Sequence, residues 1–585
     1  MRRDYPSVTQ PGRRRLRIAD STLRSSDQSQ THFDSHIWGA RALDHIAGAV
    51  IELIDDPSRI ADLLRAASCA GRSLRVQVGC DAIVATPAAI ENSSVVWRVA
   101  PHPDTLPDTL RGVLDGYISC YELTLTEVRP SPEGFVSAVP ASLRRTRRRC
   151  EPRARCAATP VARWGPDEEA PVLSVSNGGL AIQVAGSDPP VACDFALAHR
   201  GESVRLRAVR RWQEPVVDGM LAGYRVRPVA ADAARWRAMV ADALHPGTST
   251  ARTAAADVWG LYEESGYMRL SGKQPDEFGP AAEAVDHARA RLGDVADLGC
   301  QVVWDTPGDR PFATLHLQQT YAQTWMSFQL AKRRGGAPDG TPGRAVLREL
   351  HLRAYEHATL DPQLRWFVGY VQDSCSWSGM VHHGFPARHQ LSGEAACVPL
   401  HAYEIATDRP VAVGGPAVNM PAGSAIVNDA LRRIGNVRPR AYVEALDLTP
   451  DRFDLSAVAA RWEPLGLWRR REAIVAYDQN EPVAIALVEG ASDGLHLFGL
   501  FDLVRLWPLA PGGTRTYPML LEAARRWYRD RGKQRCVLFL EDSGAREIAP
   551  LGLRDLGPAQ TCVFSSGLVA EFLDFVDEAT ALRAR

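Results

Sequence analysis

The chain of 585 residues carries 68 basic and 69 acidic side chains, a formal net charge of −1, and is 45% hydrophobic and 23% charged. That balance argues against a protein drawn to nucleic acid by its overall field, and no run of about 18 apolar residues is present to span a bilayer. The length exceeds what one hydrophobic core sustains, so about three to five domains are expected.

Residues 1–34 are polar, rich in Ser, Arg and Gln, and read as a disordered tail. The basic residues Arg2, Arg3 and Arg13 to Arg15 are not followed by an apolar stretch, so no secretory signal is expected. Eleven cysteines lie scattered without a C-x-x-C pair, which predicts free thiols in a reducing cytoplasm. No metal site is expected either, since Cys150 and Cys156 have no His pair beside them.

From Ile37 to about Cys69 two helical patterns appear. Leu43, Ile46, Val50 and Leu53 recur at three, four and three residues, and Leu63 and Leu64 continue after Asp56-Pro57. Short alternating runs follow, Leu74 to Val78, Ser94 to Val99 and Ile118 to Leu125, bounded by Gly, Pro and Asn. They predict a small β-barrel or sandwich, so residues 35–142 form a helical plus β module.

Between Arg144 and Cys156 the chain reads R-R-T-R-R-R-C-E-P-R-A-R-C. Only three of the basic residues in the whole chain are lysines, so an R-x-x-x-R alone carries little information. Its context carries more. Arg148, Arg149 and Arg153 offer planar forks for phosphate oxygens. About two dozen residues on, Ser174-Val-Ser176-Asn-Gly-Gly179 reads as a strand turning at Asn177-Gly178-Gly179, with glycine freeing the backbone for close approach to a ligand. A basic arm that touches nucleic acid nonspecifically is the remaining reading, and the aromatic stripe of a stacking platform is missing nearby.

Arg149-x-x-x-Arg153 followed by Ser174-x-Ser176-x-x-Gly179 resembles the PilZ domain, a small β-barrel that binds cyclic di-GMP. Val204 to Val209 and Gly223 to Val226 resemble the later strands of that barrel, placing the domain at 143–230. Gly134 to Leu143 resembles the end of the extra N-terminal barrel of flagellar-brake proteins. The resemblance implies cyclic di-GMP held by Arg148, Arg149, Arg153, Ser174, Ser176 and Gly179, with an arm mobile until ligand orders it. Arg148, just before the R-x-x-x-R, resembles PilZ domains that capture a stacked ligand dimer. Ser174 stands where the family has Asp or Asn; a carboxylate or amide grips the guanine edge at two points, a single hydroxyl at fewer.

Residues 231–253 read as a helix, Ala230 to Leu244, and a linker from His245. Beyond Ala254 strands and helices alternate, twice over. A hairpin through Gln301 to Trp304 and Phe312 to Leu317 leads to a glycine-rich break at 335–343, a helix at Val346 to His357 and a strand at Trp366 to Val371. Ala473 to Tyr477, Val483 to Val488, a helix at Leu520 to Tyr528 and a strand at Val537 to Leu540 repeat the order.

This half resembles a tandem GNAT acyltransferase, with a degenerate first copy at 254–415 and a second at 416–585. The resemblance implies acyl-CoA, whose pyrophosphate family members hold on a [Q/R]-x-x-G-x-[G/A] loop opening a helix. Gly512, Gly513 and Arg515 are the candidates in the second copy, with the motif's spacing not kept. The tyrosine expected near Ile548 to Leu553 is absent, so no catalytic residue is assigned. The first copy offers His382 and His383, an acid/base pair or packing residues. Glu489 stands where a GNAT general base stands, or is a carboxylate at an exposed strand end.

The fold expected is therefore multidomain: a small α+β module, a PilZ-like β-barrel and mixed α/β GNAT-like domains. The function expected is a cyclic di-GMP receptor whose GNAT-like region transmits or scaffolds the signal. A cyclic di-GMP-regulated N-acyltransferase is the first alternative and a basic nucleic-acid-binding protein the second. A protein partner from a motility or exopolysaccharide system is implied by family analogy only.

Overall fold

A computed structural model describes residues 50–581, apart from 70–71, 79–80, 92, 100–104, 148–153, 156–159, 167, 186–187, 200–201, 217–218, 251–254, 273–274, 294–297, 307–309, 409–417, 420–421 and 542–543. The expected N-terminal tail lies outside the described residues. Three sheets organise the rest.

The first is a nine-stranded antiparallel sheet with Val50–Ile54 at one edge, β1 (Leu143–Arg147) beside it and Arg129–Ser131 at the other edge, and with the helix Pro57–Cys69 packed on it around Trp97, Phe135 and Leu64. The spacing of Leu43 to Leu53 predicts a helix, yet Val50–Ile54 is a strand paired antiparallel with β1. Three of its five residues are β-branched, and β1 offers it a ladder, which decides the matter. β1 also pairs with Ser119–Leu125, so it completes this first sheet rather than opening the barrel that follows.

The second sheet closes on itself. β2 (Glu169–Ser176) pairs with β3 (Gly179–Val184), and the ring continues through Gly219–Pro228, Glu202–Val216, Ala192–His199 and Val161–Arg163 back to β2. Six strands thus form a barrel with no free edge in the ring, filled by Val172, Leu180, Ile182, Phe195, Leu206 and Tyr224. The expected later strands fall in its last two. Helix α1 (Ala233–Leu244) packs Trp236, Met239 and Val240 against this core.

The third sheet has twelve strands and runs through both acyltransferase-like copies. In the first copy β4 (Thr324–Lys332), helix α2 (Gly343–Ala358) and β5 (Trp366–Gln372) form a crossover unit, followed by β6 (Ala395–Ala406). Helix α3 (Ser424–Val437) opens the second copy, where β7 (Glu481–Ala491), β8 (Leu503–Pro508), helix α4 (Tyr517–Arg529) and β9 (Arg535–Leu540) repeat the plan. β10 (Arg554–Ser565) and helix α5 (Val569–Ala581) end the described chain.

β4 and β5 are parallel over three residue pairs, Thr324–Met326 with Trp366–Val368, and β8 and β9 over three more. Beyond those pairs each couple parts. The last strands are exchanged: β10 of the second copy lies against β5 of the first, while β6 of the first lies between β10 and β9. The two copies therefore share one sheet, and neither can leave without breaking three ladders, β5 with β10, β10 with β6 and β6 with β9. Among the described residues no helix is long and apolar enough to cross a membrane.

Candidate functional site

The hairpin β2–β3 sets the second motif. Ser176 faces Gly179 across the two-residue turn Asn177-Gly178, and Ser174 faces Ala181 after a bulge at Val172. Ser176 is buried, its hydroxyl 3.4 Å from the Gly179 carbonyl oxygen that accepts from it, whereas Ser174 is partly exposed. Trp236 of α1 donates its indole N–H to the Asn177 carbonyl at 2.8 Å, fixing the turn from behind. Nothing local in the sequence marks that tryptophan, which lies 59 residues from its partner.

Arg148, Arg149 and Arg153 lie outside the described residues, but the segments flanking them do not. On one side β1 ends at Arg147 within the first sheet. On the other, Ala154 and Arg155 pair with Val175 and Ser174, so the chain returns directly onto the second motif. The arm thus joins two fixed points, one of them the candidate ligand turn.

Arg145 of β1 is buried and held by the C-terminal helix. Its Nη2 donates to Asp574 Oδ2 of α5 at 2.6 Å and its Nε to Ser119 Oγ at 3.1 Å, while Asp574 Oδ1 accepts the Ile118 N–H at 2.8 Å. Tyr121 donates to Glu578 at 2.5 Å, and burial, with Asp574 nearby, pushes the Glu578 carboxyl up to about 7.

A second polar joint ties the barrel's helix to α2. His245, fully buried just after α1, lies 2.7 Å from Glu349 and 3.0 Å from Glu356 of α2. Burial disfavours its imidazolium, but the two carboxylates outweigh that and raise it to about 9. Arg353 of α2 adds a bond to Asp242 of α1 at 2.9 Å.

In the second copy the loop over Gly512, Gly513 and Arg515 leads into α4, as expected for a phosphate-holding turn. Its glycines also answer a packing need. A side chain on Gly513 would meet the Val483 carbonyl of β7 at 2.1 Å, while Gly512 adopts φ +80. Arg515 is exposed. The wedge where β8 and β9 part is filled. Arg438, following α3, stands 3.2 Å from the Glu541 carboxylate, and Tyr442 donates to it. Arg433 of α3 donates to the Leu509 carbonyl at 2.7 Å and covers the end of the same wedge.

Glu489 is not at an exposed strand end. It is fully buried and grips three arginines: Arg469 at 2.5 Å, Arg471 at 2.9 Å and Arg505 at 2.9 Å, with the Tyr321 hydroxyl at 3.1 Å. Arg471 lies directly opposite it in the ladder, Arg469 two residues along on the same face, and Arg505 on the neighbouring β8. Burial raises this carboxyl and the guanidiniums more than reverse that, holding it near 2. A group so placed cannot take a proton from a substrate amine; it is structural.

The first copy is open. The loop Gly340-Thr-Pro-Gly343-Arg344-Ala345 keeps the last two positions of the family's pyrophosphate motif, with Gly340 in place of Gln or Arg, and it opens α2 at Gly343. This match was legible but lies inside what reads as a glycine-rich break. Arg344 Nη1 is buried without a hydrogen-bond partner. Where β4 and β5 part, a cavity of about 160 Å³ is lined by Ser327, Phe328, Gly369, Tyr370 and His382 among others.

His382 and His383 do not pair with each other. His382 sits on a π-helical turn, buried, 3.1 Å from His351 Nε2, while His383 is only partly buried. The His351 Nδ1–H donates to the Leu347 carbonyl at 2.7 Å, so its Nε2 accepts from His382 Nε2–H, and His382 Nδ1 accepts the Tyr355 hydroxyl at 3.3 Å. Burial holds His351 down to about 4, and burial plus its partner holds His382 well below the ordinary value, so this wire is neutral.

No family model matches the chain, and no curated protein matches it. Among solved structures it is similar to YcgR of Escherichia coli in complex with c-di-GMP, at 12% identity over 32% of this chain and 90% of that one, TM-score 0.25. It is similar to a GCN5-related N-acetyltransferase of Sphaerobacter thermophilus, at 14% identity over 55% and 96%, TM-score 0.33. A tandem GNAT protein from the clavulanic acid biosynthesis pathway is similar at 15% identity over 54% and 98%, TM-score 0.29.

Proposed function

We propose that the chain is a cyclic di-GMP receptor in which the arm 148–153 and the turn at Ser174 to Gly179 take the ligand and the acyltransferase-like region receives the change. The observation that carries this is the anchoring of the arm. One end continues from the strand that Asp574 of α5 grips through Arg145, and the other pairs with Ser174 and Val175. Phosphate charge bound by the arm pulls on both, a local electrostatic event with a readout in α5. The turn itself reaches α2 by a second route, through Trp236, α1 and His245. Titrating the full chain with cyclic di-GMP tests the reading: binding below about 100 μM is expected, and none at that concentration makes the barrel a structural module.

A second reading, acyl-CoA binding, is favoured by the open first copy. The amides opening α2 at Gly343, Arg344 and Ala345, with the Arg344 guanidinium, hold the pyrophosphate, and the thioester arm runs toward the parting of β4 and β5. Gly512, Gly513 and Arg515 then remain a packed turn above a filled wedge. CoA should raise the melting temperature, since a ligand selective for the native state stabilises it as RT ln(1 + [L]/Kd). Arg344→Ala should abolish that rise and Arg515→Ala leave it unchanged; the reverse pattern returns the site to the second copy.

A further inference from the structure

Among the described cysteines, all of them free, only two stand opposite each other in a ladder: Cys397 of β6 is paired directly with Cys562 of β10. Opposed residues of an antiparallel pair share a face of the sheet, with Cα atoms about 4.5 to 5.5 Å apart. That lies inside the range of roughly 4.4 to 6.8 Å over which a disulfide joins two cysteines without moving the backbone. The register holds from Ala395 to Ala402, so the pairing is regular on both sides of the two thiols. Their settings differ. Cys562 is 2% exposed, whereas Cys397 is partly exposed, its S–H 3.8 Å from the His383 carbonyl. The Cys562 S–H is directed at the Cys397 sulfur, and that bond, with Gln390 adding to it, holds the Cys397 thiol below its ordinary range despite partial burial. The same bond, with burial and Asp373 nearby, pushes the Cys562 thiol up. The sulfur within reach of solvent is therefore the one closer to a thiolate, and the second stands beside it as a resolving thiol.

We propose that Cys397 and Cys562 form a reversible oxidation site, closing to a disulfide that ties the last strand of the first copy to the last strand of the second. The oxidant is a hydroperoxide. With hydrogen peroxide, the Cys397 sulfur attacks one oxygen, the O–O bond breaks, and the products are the Cys397 sulfenic acid and water. The Cys562 sulfur then attacks the Cys397 sulfur. The S–O bond breaks, and hydroxide leaves with the Cys562 proton as a second water. The two thiols give up two electrons and two protons, and the peroxide takes up both. Because β6 and β10 are the exchanged strands, the new bond closes a loop that runs through the second copy, a constraint on the unfolded chain that stabilises the folded one.

Peptide mapping of the full chain after treatment with hydrogen peroxide, the remaining thiols being alkylated in urea, tests it. A linked Cys397–Cys562 peptide is expected, with both positions lost to alkylation and both recovered after dithiothreitol. The oxidised chain should also melt above the reduced one. In Cys562→Ala, dimedone should capture Cys397 as its sulfenic acid; in Cys397→Ala, Cys562 should stay a thiol. The melting temperature of each reduced variant checks that it folds, and the wild-type map decides the matter if one does not. The site is overturned if both residues remain thiols under peroxide that oxidises the partly exposed Cys193 or Cys375. It is equally overturned if wild-type Cys397 proceeds to the sulfinic acid while Cys562 stays a thiol, or if either residue is found linked to another cysteine instead.

Discussion

Glu489→Gln should cost about 3–5 kcal/mol of unfolding free energy, the range for removing one partner from a buried ion pair. The amide keeps the shape but takes from Arg469, Arg471 and Arg505 the carboxylate charge they share, leaving Arg505 with Glu541 at 3.9 Å; all three are at most 1% exposed. Urea unfolding followed by tryptophan fluorescence measures it. The acid limb gives an independent sign. The folded carboxyl is held near 2 against an ordinary 4.5, so its contribution is complete above about pH 4.5 and is lost as pH falls toward 2. The wild type should therefore lose more stability over that interval than the variant. A variant as stable as wild type, with any transfer activity abolished, would restore Glu489 as a general base.

Arg149→Ala and Arg153→Ala should each weaken cyclic di-GMP binding by about 1.5–3 kcal/mol, the range for hydrogen bonds to a charged group, which is roughly 10- to 150-fold. Neither should alter the melting temperature, because the barrel is closed by its own ladders and filled from within. Ser174→Asp should tighten binding, since a carboxylate accepts from both the guanine N1–H and its amino group. Ser174 is partly exposed beside Arg155 in the ladder, which leaves room for the longer side chain. Unchanged affinity in Ser174→Asp would remove Ser174 from the guanine edge. Unchanged affinity in both arginine variants would remove the arm from the site.

Local periodicity carried the hairpins, the α2 and α4 helices and the barrel's later strands, because each depends on residues a few positions apart. The ligand turn was legible for the same reason, from Asn177-Gly178-Gly179, although Gly179 already pairs with Ser176 in the ladder and leaves a two-residue turn. Features set by distant partners were not. The 3-4-3 spacing that ends at Val50 and Leu53 fits a helix, and only the ladder offered by β1 makes Val50–Ile54 a strand. The position of Glu489 near a strand end suggests exposure, while Tyr321 and Arg505, 168 and 16 residues away, bury it. The grip of Asp574 on Arg145 spans 429 residues and has no local signature. The exchange of β6 and β10 is likewise invisible, since either order satisfies the same alternation. In the first copy the motif Gly340 to Ala345 was present in the sequence, but Gly and Pro around it read as a chain break.

Hydrogen exchange of the full chain with and without saturating cyclic di-GMP tests the central claim most directly. The account predicts slowed exchange across residues 143–155 and 174–179, accompanied by a change in α5 at 569–581, where Asp574 holds Arg145. No change anywhere, or a change confined to the barrel with α5 and α2 unaffected, would contradict a receptor that signals to its acyltransferase-like half.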